Sequence, residues 1–175
     1  MFEVFLAGAP AVVAVFLTHG LTGLREKSAE SRRMRRDVSE ELLAPLNEIR
    51  RMVDRSESLS VAPAEIVELL EAWEIAWQKH EGALPRRYRH IRNSVADALG
   101  THFGPIGACN RLPSAAEYEV LPLNLSWWQR ADDYLSYLAR RLVEWGHAGS
   151  KAGHLSALGF DAWLELREEA TRTAC

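Results

Sequence analysis

Residues 128–145, WQRADDYLSYLARRLVEW, carry the pattern that decides the fold of this 175-residue chain. Their apolar positions follow one another at steps of three, four, three, four and three residues, the spacing of one face of an α-helix. The positions on this face are Trp128, Ala131, Leu135, Leu138, Leu142 and Trp145. Ser126 and Gln129 form a capping-box pattern at the start, and Gly146 predicts the end. The stretch therefore predicts an amphipathic helix that buries one face.

The same spacing occurs in residues 25–56, which predict a long helix after the apolar N-terminal run. Its apolar positions are Val38, Leu42, Leu46, Ile49 and Val53. Pro45 lies within this pattern, removes one backbone donor and predicts a kink or a break just before it. Residues 56–62 then predict a turn.

Three further helices are predicted on the same grounds. They are residues 63–80, which Gly82 terminates, and residues 85–100 and 160–172. Residues 104–124 and 146–159 are rich in Gly and Pro and predict connections, the first with at most a short helix. No stretch shows the sustained alternation of a β-strand. The predicted fold class is therefore all-α, with a bundle of about four to five helices in a domain of residues 57–175.

The N-terminal run, residues 4–24, VFLAGAPAVVAVFLTHGLTGL, contains no Asp, Glu, Lys or Arg. A helix of this length spans roughly 31 Å, close to the hydrocarbon thickness of a bilayer. A cleaved signal peptide would have basic residues ahead of the run, where only Glu3 is charged. A soluble core helix or an interfacial helix would show a polar face, which this run lacks. We therefore expect residues 1–24 to form a single transmembrane anchor that continues into the helix of residues 25–56.

A basic segment follows the apolar run directly, since residues 25–36 have a net charge of +4. Its basic residues are Arg25, Lys27, Arg32, Arg33, Arg35 and Arg36. Basic residues accumulate on the cytoplasmic side of single spans and gain energy beside anionic lipid headgroups. We expect a single-pass protein of the cell membrane with its N-terminus outside, its C-terminal domain in the cytoplasm, and this segment in contact with the membrane surface.

The charge of the remaining chain argues against a nucleic-acid partner. The whole chain has a net charge of −3, so the part after the basic segment is acidic, whereas nucleic-acid-binding domains are basic. Cys109 and Cys175 form no disulfide framework and suit a reducing compartment. An excess of Arg over Lys and abundant Ala are compatible with a GC-rich genome, and the layout resembles that of small single-span bacterial membrane proteins.

The sequence contains none of the common catalytic, metal-binding or nucleotide-binding patterns. HExxH, CxxC, GxGxxG and GxxxxGK[ST] are absent from the sequence, and no two His residues have ligand spacing on one predicted helix. His102 and Cys109 are close in sequence, as a base and a nucleophile could be, but the Gly and Pro around them favour a loop. Asp132 and Asp133 are adjacent, which favours a solvated helix face. We predict no catalytic residue, no metal and no cofactor.

Aromatic and basic side chains are the candidates for a partner surface. Trp73 and Trp77 lie one helical turn apart and could line a pocket, but core packing is favoured because each buries a large apolar area. Trp127, beside the stripe residue Trp128, is the best candidate for an exposed aromatic. A second basic run could form a partner patch, although a solvated helix face is commoner. Its candidate residues are Arg86, Arg87 and Arg89, with Arg92 following them.

Two classes of function stay open at this point. The first is a membrane-anchored interaction or scaffold protein, whose helical domain holds a protein partner or another copy of itself. The second is a small enzyme or ligand-binding bundle tethered to the cytoplasmic face. We favour the first, and expect a protein that is not an enzyme, because catalytic sites commonly leave recognisable residue patterns.

Overall fold

A computed structural model describes residues 9–56, 59, 61–103 and 125–173, with the side chains of residues 9–25, 101–103, 125–127 and 150 outside that description. The described ranges are helical and contain no β-strand, which confirms the predicted all-α class. The α-helices are α1 (Ala9–Arg55), α2 (Pro63–His80), α3 (Ile91–Phe103), α4 (Leu125–His147) and α5 (Phe160–Thr173). Two short 3₁₀ segments, Arg86–Tyr88 and Ser150–His154, precede α3 and α5.

Helix α1 runs through Pro45 without ending. The prediction that the helix breaks at Pro45 is therefore wrong. The alternative, a kink at the same place, stays a prediction. Proline removes one helical hydrogen bond, but Leu42 and Leu46 on either side of it are fully buried. Packing of these neighbouring turns against the core maintains the helix despite the missing donor.

The described residues do not support the transmembrane part of the predicted fold. Among them, no helix is both long enough and apolar enough to cross a bilayer. Residues 4–8, the beginning of the predicted span, lie outside the described residues.

Helices α1 and α4 make the most extensive helix pair and run antiparallel. Arg35 lies beside Ala148 near one end, and Arg50 lies beside Asp132 near the other. Helix α2 packs on α1 and on α3, while α3 also packs on α4, so the four helices close around one core. Helix α5 lies against α3 and α4.

The apolar stripe of residues 128–145 faces this core, as predicted. Leu135, Leu138 and Leu142 are fully buried, whereas Trp128 at the start of the stripe is half-buried. Each buried leucine side chain contributes about 1.5–3 kcal/mol relative to an exposed one, an upper estimate because the unfolded chain already buries part of its surface. The helical spacing therefore identified the buried face of α4.

Within the described part of the chain, Trp73 and Trp77 belong to the core, as the sequence favours, and do not line a pocket. Trp73 and Trp77 are fully buried with ring centroids 5.5 Å apart, and Trp145 packs on Tyr88 at 6.3 Å. Trp73 also donates its indole N–H to the Arg92 carbonyl, at 3.2 Å. Their size and their internal contacts make these side chains part of the packing of the bundle.

The structure corrects two predicted helix ends. The segment after Pro85 first forms the 3₁₀ turn Arg86–Tyr88, and α3 then extends past Gly100 to Phe103. Gly146 does not end α4, which continues to His147. A glycine inside a helix costs only about 1 kcal/mol relative to alanine, so tertiary packing can carry a helix through it.

Candidate functional site

The basic segment of α1 extends beyond the bundle and is exposed to solvent. Arg32, Arg33 and Arg36 are exposed, and they share one face because they follow the i, i+1, i+4 spacing of a helix. Arg32 donates through Nε to the Ser28 carbonyl, at 3.2 Å, within its own helix. Lys27 is also exposed, whereas the side chain of Arg25 lies outside the described residues. These side chains are free to meet a negatively charged surface.

Arg35 behaves differently from its neighbours because its side chain turns back onto the bundle. Its Nη2 donates to the carbonyls of Ala148, at 2.8 Å, and Gly149, at 3.4 Å, just past the end of α4. A guanidinium at this place also interacts favourably with the negative end of the α4 dipole. Arg35, predicted as one of six lipid-contacting residues, is thus also a structural link between the basic segment and the bundle.

Ser39, one turn further along α1, lies in close contact with α4. Its Oγ donates to the Leu142 carbonyl, at 2.8 Å, although the two residues are 103 positions apart. A Cβ built on Gly146 would lie only 2.7 Å from the Cβ of Ser39. Glycine is therefore needed at position 146 so that α1 and α4 can approach closely, a role that its sequence context did not reveal.

The second predicted basic patch is also at the surface. Arg86, Arg87 and Arg89 are exposed in and just after the 3₁₀ turn, and Arg87 donates to the His154 carbonyl, at 3.5 Å. Arg92 instead forms a close ion pair with Glu74 of α2, at 2.6 Å, which holds α3 against α2.

Several residues singled out by the sequence cannot be placed in a site. The side chains of Trp127 and His102, and the whole of Cys109, lie outside the described residues. His102 itself belongs to helix α3, not to a loop. Within the described ranges, no group of three or more His, Cys, Asp or Glu residues is arranged to hold a metal ion.

An open groove of about 540 Å³ follows the outer seam between α1 and α4. We call it the seam groove, and its lining residues are Leu43, Asn47 and Arg50 of α1 and Ser136, Ala139, Arg140, Val143 and Glu144 of α4. The small Ser136 and Ala139 create the depression, while Val143 projects beside it and is 41% exposed. The sequence pattern could not reveal this surface because it is assembled from two segments that are distant in the chain.

Charged groups around the seam groove are partly desolvated. Burial raises the pKa of the Asp132 carboxyl above its usual range, and the nearby Arg50, with Nε 3.5 Å from Oδ1, acts in the opposite direction. The Nε of Arg50 is buried and has no hydrogen-bond acceptor among the described residues. Asp133, by contrast, pairs with Arg167 of α5 at 2.5 Å. The adjacent aspartates thus link α4 to two different helices instead of forming only a solvated face.

Two tyrosines, Tyr88 and Tyr134, have buried hydroxyl-bearing side chains in the bundle. Burial raises the pKa of Tyr88 to about 12, and its hydroxyl donates to the Arg141 carbonyl, at 3.3 Å. Burial also raises the pKa of Tyr134, whose hydroxyl donates to the Leu158 carbonyl, at 2.9 Å. Both phenols are neutral near pH 7 and stabilise backbone carbonyls, so their role is structural.

Comparison with known proteins identified no relative: no family model matches the chain, and no similar protein was found among curated proteins or solved structures.

Proposed function

We propose that the protein is a membrane-anchored helical interaction or scaffold protein of the cell membrane. Residues 4–24 cross the bilayer once with the N-terminus outside, and the bundle binds a protein partner or another copy of itself at the cytoplasmic face. The observation that carries the proposal is the continuity of α1, which joins the apolar run to the bundle core in one helix from Ala9 to Arg55.

The exposed arginines support the membrane-facing part of the proposal. From Leu24 to Val38, the first buried side chain of α1 among those that the structure describes, an α-helix rises about 21 Å. Arg32, Arg33 and Arg36 lie within this interval, between the apolar run and the bundle. Each basic residue near an anionic membrane gains about 1 kcal/mol. Together they favour the cytoplasmic orientation and contact with anionic headgroups.

The surface of the bundle supports interaction more than catalysis. The cavities found among the described residues are open to solvent, and the seam groove has an apolar floor with charged residues at its rim. Such a groove between two helices suits a third helix from a partner. The alternative, a tethered small enzyme or ligand-binding bundle, would need an enclosed pocket with converging polar groups.

Extraction of membranes tests the anchor. We expect the full chain to stay in the membrane pellet after alkaline carbonate and after high salt, because the apolar run is held by hydrocarbon and not by charge. Replacing Val13 and Leu17 with Lys should release the chain, since a charged residue at the centre of a span costs about 2.5–3.5 kcal/mol. Met34→Lys, outside the run, is the matched control and should remain in the pellet. Release of the wild-type chain by either wash would contradict the proposed span.

A further inference from the structure

The seam groove offers a shallow apolar floor, and its rim carries Arg50, Arg140 and Glu144, of which Glu144 already pairs with Arg141 at 2.7 Å. Ala139, 9% exposed, and the half-buried Leu43 form the floor, with Val143 beside them. Arg140 is exposed at the rim and makes no ion pair with any described residue, while Arg50 is only partly neutralised by Asp132 at 3.5 Å. The groove therefore suits an apolar side chain flanked by carboxylates.

The outer face of α2 has the complementary features. Ile75 is 68% exposed, the largest exposure among the large hydrophobic side chains that the structure describes. Glu68 and Glu71 are exposed, form no ion pair within the described residues, and share a helix face with Ile75 through their i, i+3, i+7 spacing. The opposite face of α2 carries the buried side chains of Ile66, Leu70, Trp73 and Trp77. The outer face of α2 is thus an acidic ridge with one exposed apolar side chain.

We propose that the seam groove of one copy binds the outer face of α2 of a second copy. The two surfaces match in length, because Leu43 to Arg50 and Glu68 to Ile75 each cover seven positions, or about 10.5 Å of helix. In this register Ile75 of the second copy lies between Ala139 and Val143, next to Leu43, and Glu68 of the second copy meets Arg50.

The helix α4 side of the groove fits the same register. Arg140 and Val143 lie three positions apart along α4, while Glu71 and Ile75 lie four positions apart along α2. With Ile75 of the second copy beside Val143, its Glu71 therefore meets Arg140, the unpaired cation of the rim. Opposite charges meet at two places around one apolar contact, which gives both attraction and register.

The orientation of the docked helix is compatible with two copies in one membrane. Within one copy α2 runs antiparallel to α1, because His80 pairs with Glu41 and Glu65 pairs with Arg55. The proposed register also places the α2 of the second copy antiparallel to α1, so the α1 helices of both copies point in the same direction.

The two copies also lie at nearly the same height. The ion pairs of Glu41 with His80 and of Arg55 with Glu65 place Ile75 at the level of residue 46 of its own α1 helix. In the docked arrangement the same side chain lies at the level of Leu43 of the other copy. The difference corresponds to about 4 Å along the helix. Both N-terminal runs can therefore enter the same bilayer, where confinement raises the effective concentration of a weak contact. The contact is heterologous, so it builds a ring or a row of copies side by side.

This inference rests on the proposed interaction role of the bundle, and it does not require the membrane span. Disulfide trapping tests it in native membranes with full chains in which Cys109 and Cys175 are replaced by Ser. One tagged chain carries Ile75→Cys and a differently tagged chain carries Val143→Cys. We expect an oxidant to join the two tags at least fivefold more efficiently than in the matched pair Ile75→Cys with Glu165→Cys, an exposed position on α5. Equal yields for the two pairs would overturn the proposal.

Charge reversal provides the second arm. Arg140→Glu in both tagged chains should lower the trapped yield at least fivefold, and adding Glu71→Arg should restore it, with unchanged melting curves for the variants. Loss without restoration contradicts the proposed register. A photoactivatable label on Val143→Cys that captures only a different protein contradicts a second copy as the occupant.

The trapping result is independent of the anchor. If carbonate releases the chains and the disulfide still forms between copies, the result supports self-association and contradicts the membrane span. Retention in the pellet without trapping would leave the span intact and contradict self-association.

Discussion

At the scale of single residues, Gly146 and Ser39 show how one contact decides the packing of two helices. The absence of a Cβ at Gly146 lets the Ser39 hydroxyl reach the Leu142 carbonyl, and Arg35 then reaches the carbonyls beyond the end of α4. A glycine near the end of a helical pattern predicts a stop, but here it provides space for a neighbouring backbone.

We expect Gly146→Ala to lower the free energy of unfolding by about 1–3 kcal/mol. The new methyl group would lie 2.7 Å from the Cβ of Ser39, so α1 and α4 must move apart. Thermal unfolding of the detergent-solubilised full chain, followed by circular dichroism, measures the effect. Gly153→Ala is the control, because nothing lies within 4 Å of its added Cβ. A similar loss in both variants would show that the close contact is unimportant.

At the scale of secondary-structure elements, α4 combines a predicted core face with contacts that its pattern did not show. Leu138 is fully buried on the predicted face. Off that face, Asp132 contacts Arg50 of α1, and Asp133 contacts Arg167 of α5. The ring of Tyr134 also packs against Phe160 and Trp163 of α5, with centroid distances of 5.1 and 5.4 Å. Helix α4 is thus the central helix of the bundle, with neighbours on several sides.

Leu138→Ala should cost about 2–5 kcal/mol, because it removes buried methyl groups and leaves a cavity. A domain of this kind is stable by only about 5–15 kcal/mol, so the melting temperature should fall visibly. Asp133→Ala is the comparison and removes one half-exposed ion pair, worth about 1 kcal/mol or less. Equal melting temperatures for the two variants would mean that the stripe does not face the core.

The α1–α2 contact should make stability depend on pH. Glu41 accepts hydrogen bonds from Lys79 and His80, and these bonds lower the pKa of its carboxyl below the usual 4.5. A carboxyl whose pKa is lower in the folded than in the unfolded state stabilises the protein at a pH above its unfolded-state pKa. This stabilisation is lost as the pH falls through the folded-state pKa.

Glu41→Gln should therefore melt below the wild type at pH 7, and the gap should narrow as the pH falls below about 4.5. Melting curves recorded over a pH series measure this gap. Glu40→Gln, at an exposed neighbouring position, should show little difference at any pH. A gap for Glu41→Gln that stays constant into acid would exclude the proposed linkage.

At the scale of the whole molecule, α1 packs in the bundle through its C-terminal half and continues as one helix into the N-terminal run. Its exposed basic segment separates the two, and Arg35 ties that segment to the end of α4. The bundle is therefore held in a defined direction relative to α1, which a flexible linker would not do.

A reporter fused after Cys175 should behave as cytoplasmic, because basic residues near a span favour the inside. We expect a fluorescent-protein fusion to fluoresce and a phosphatase fusion to be inactive; the reverse result would invert the proposed topology. Replacing Arg86, Arg87 and Arg89 with Gln should leave the result unchanged, since residues beyond about 15–20 positions from a span contribute little to orientation.

Helical periodicity by itself determined the all-α class, the buried face of α4 and the placement of Trp73 and Trp77 in the core. These are local properties: a side chain on a helix points in a direction set by its spacing from its neighbours, and large apolar side chains on the common face are buried. The sequence also separated the apolar run from the basic segment, because net charge is a property of composition.

Only the tertiary structure decided which arginine of the basic segment turns inward, why position 146 is glycine, and where the seam groove lies. Arg35 and Ala148 are 113 positions apart, and the two walls of the groove are almost as distant in the chain. Such contacts depend on the distance and angle between packed helices, and these follow from how all the buried side chains fill one core. No pattern within a single helix contains that information, because the same spacing is compatible with many partners.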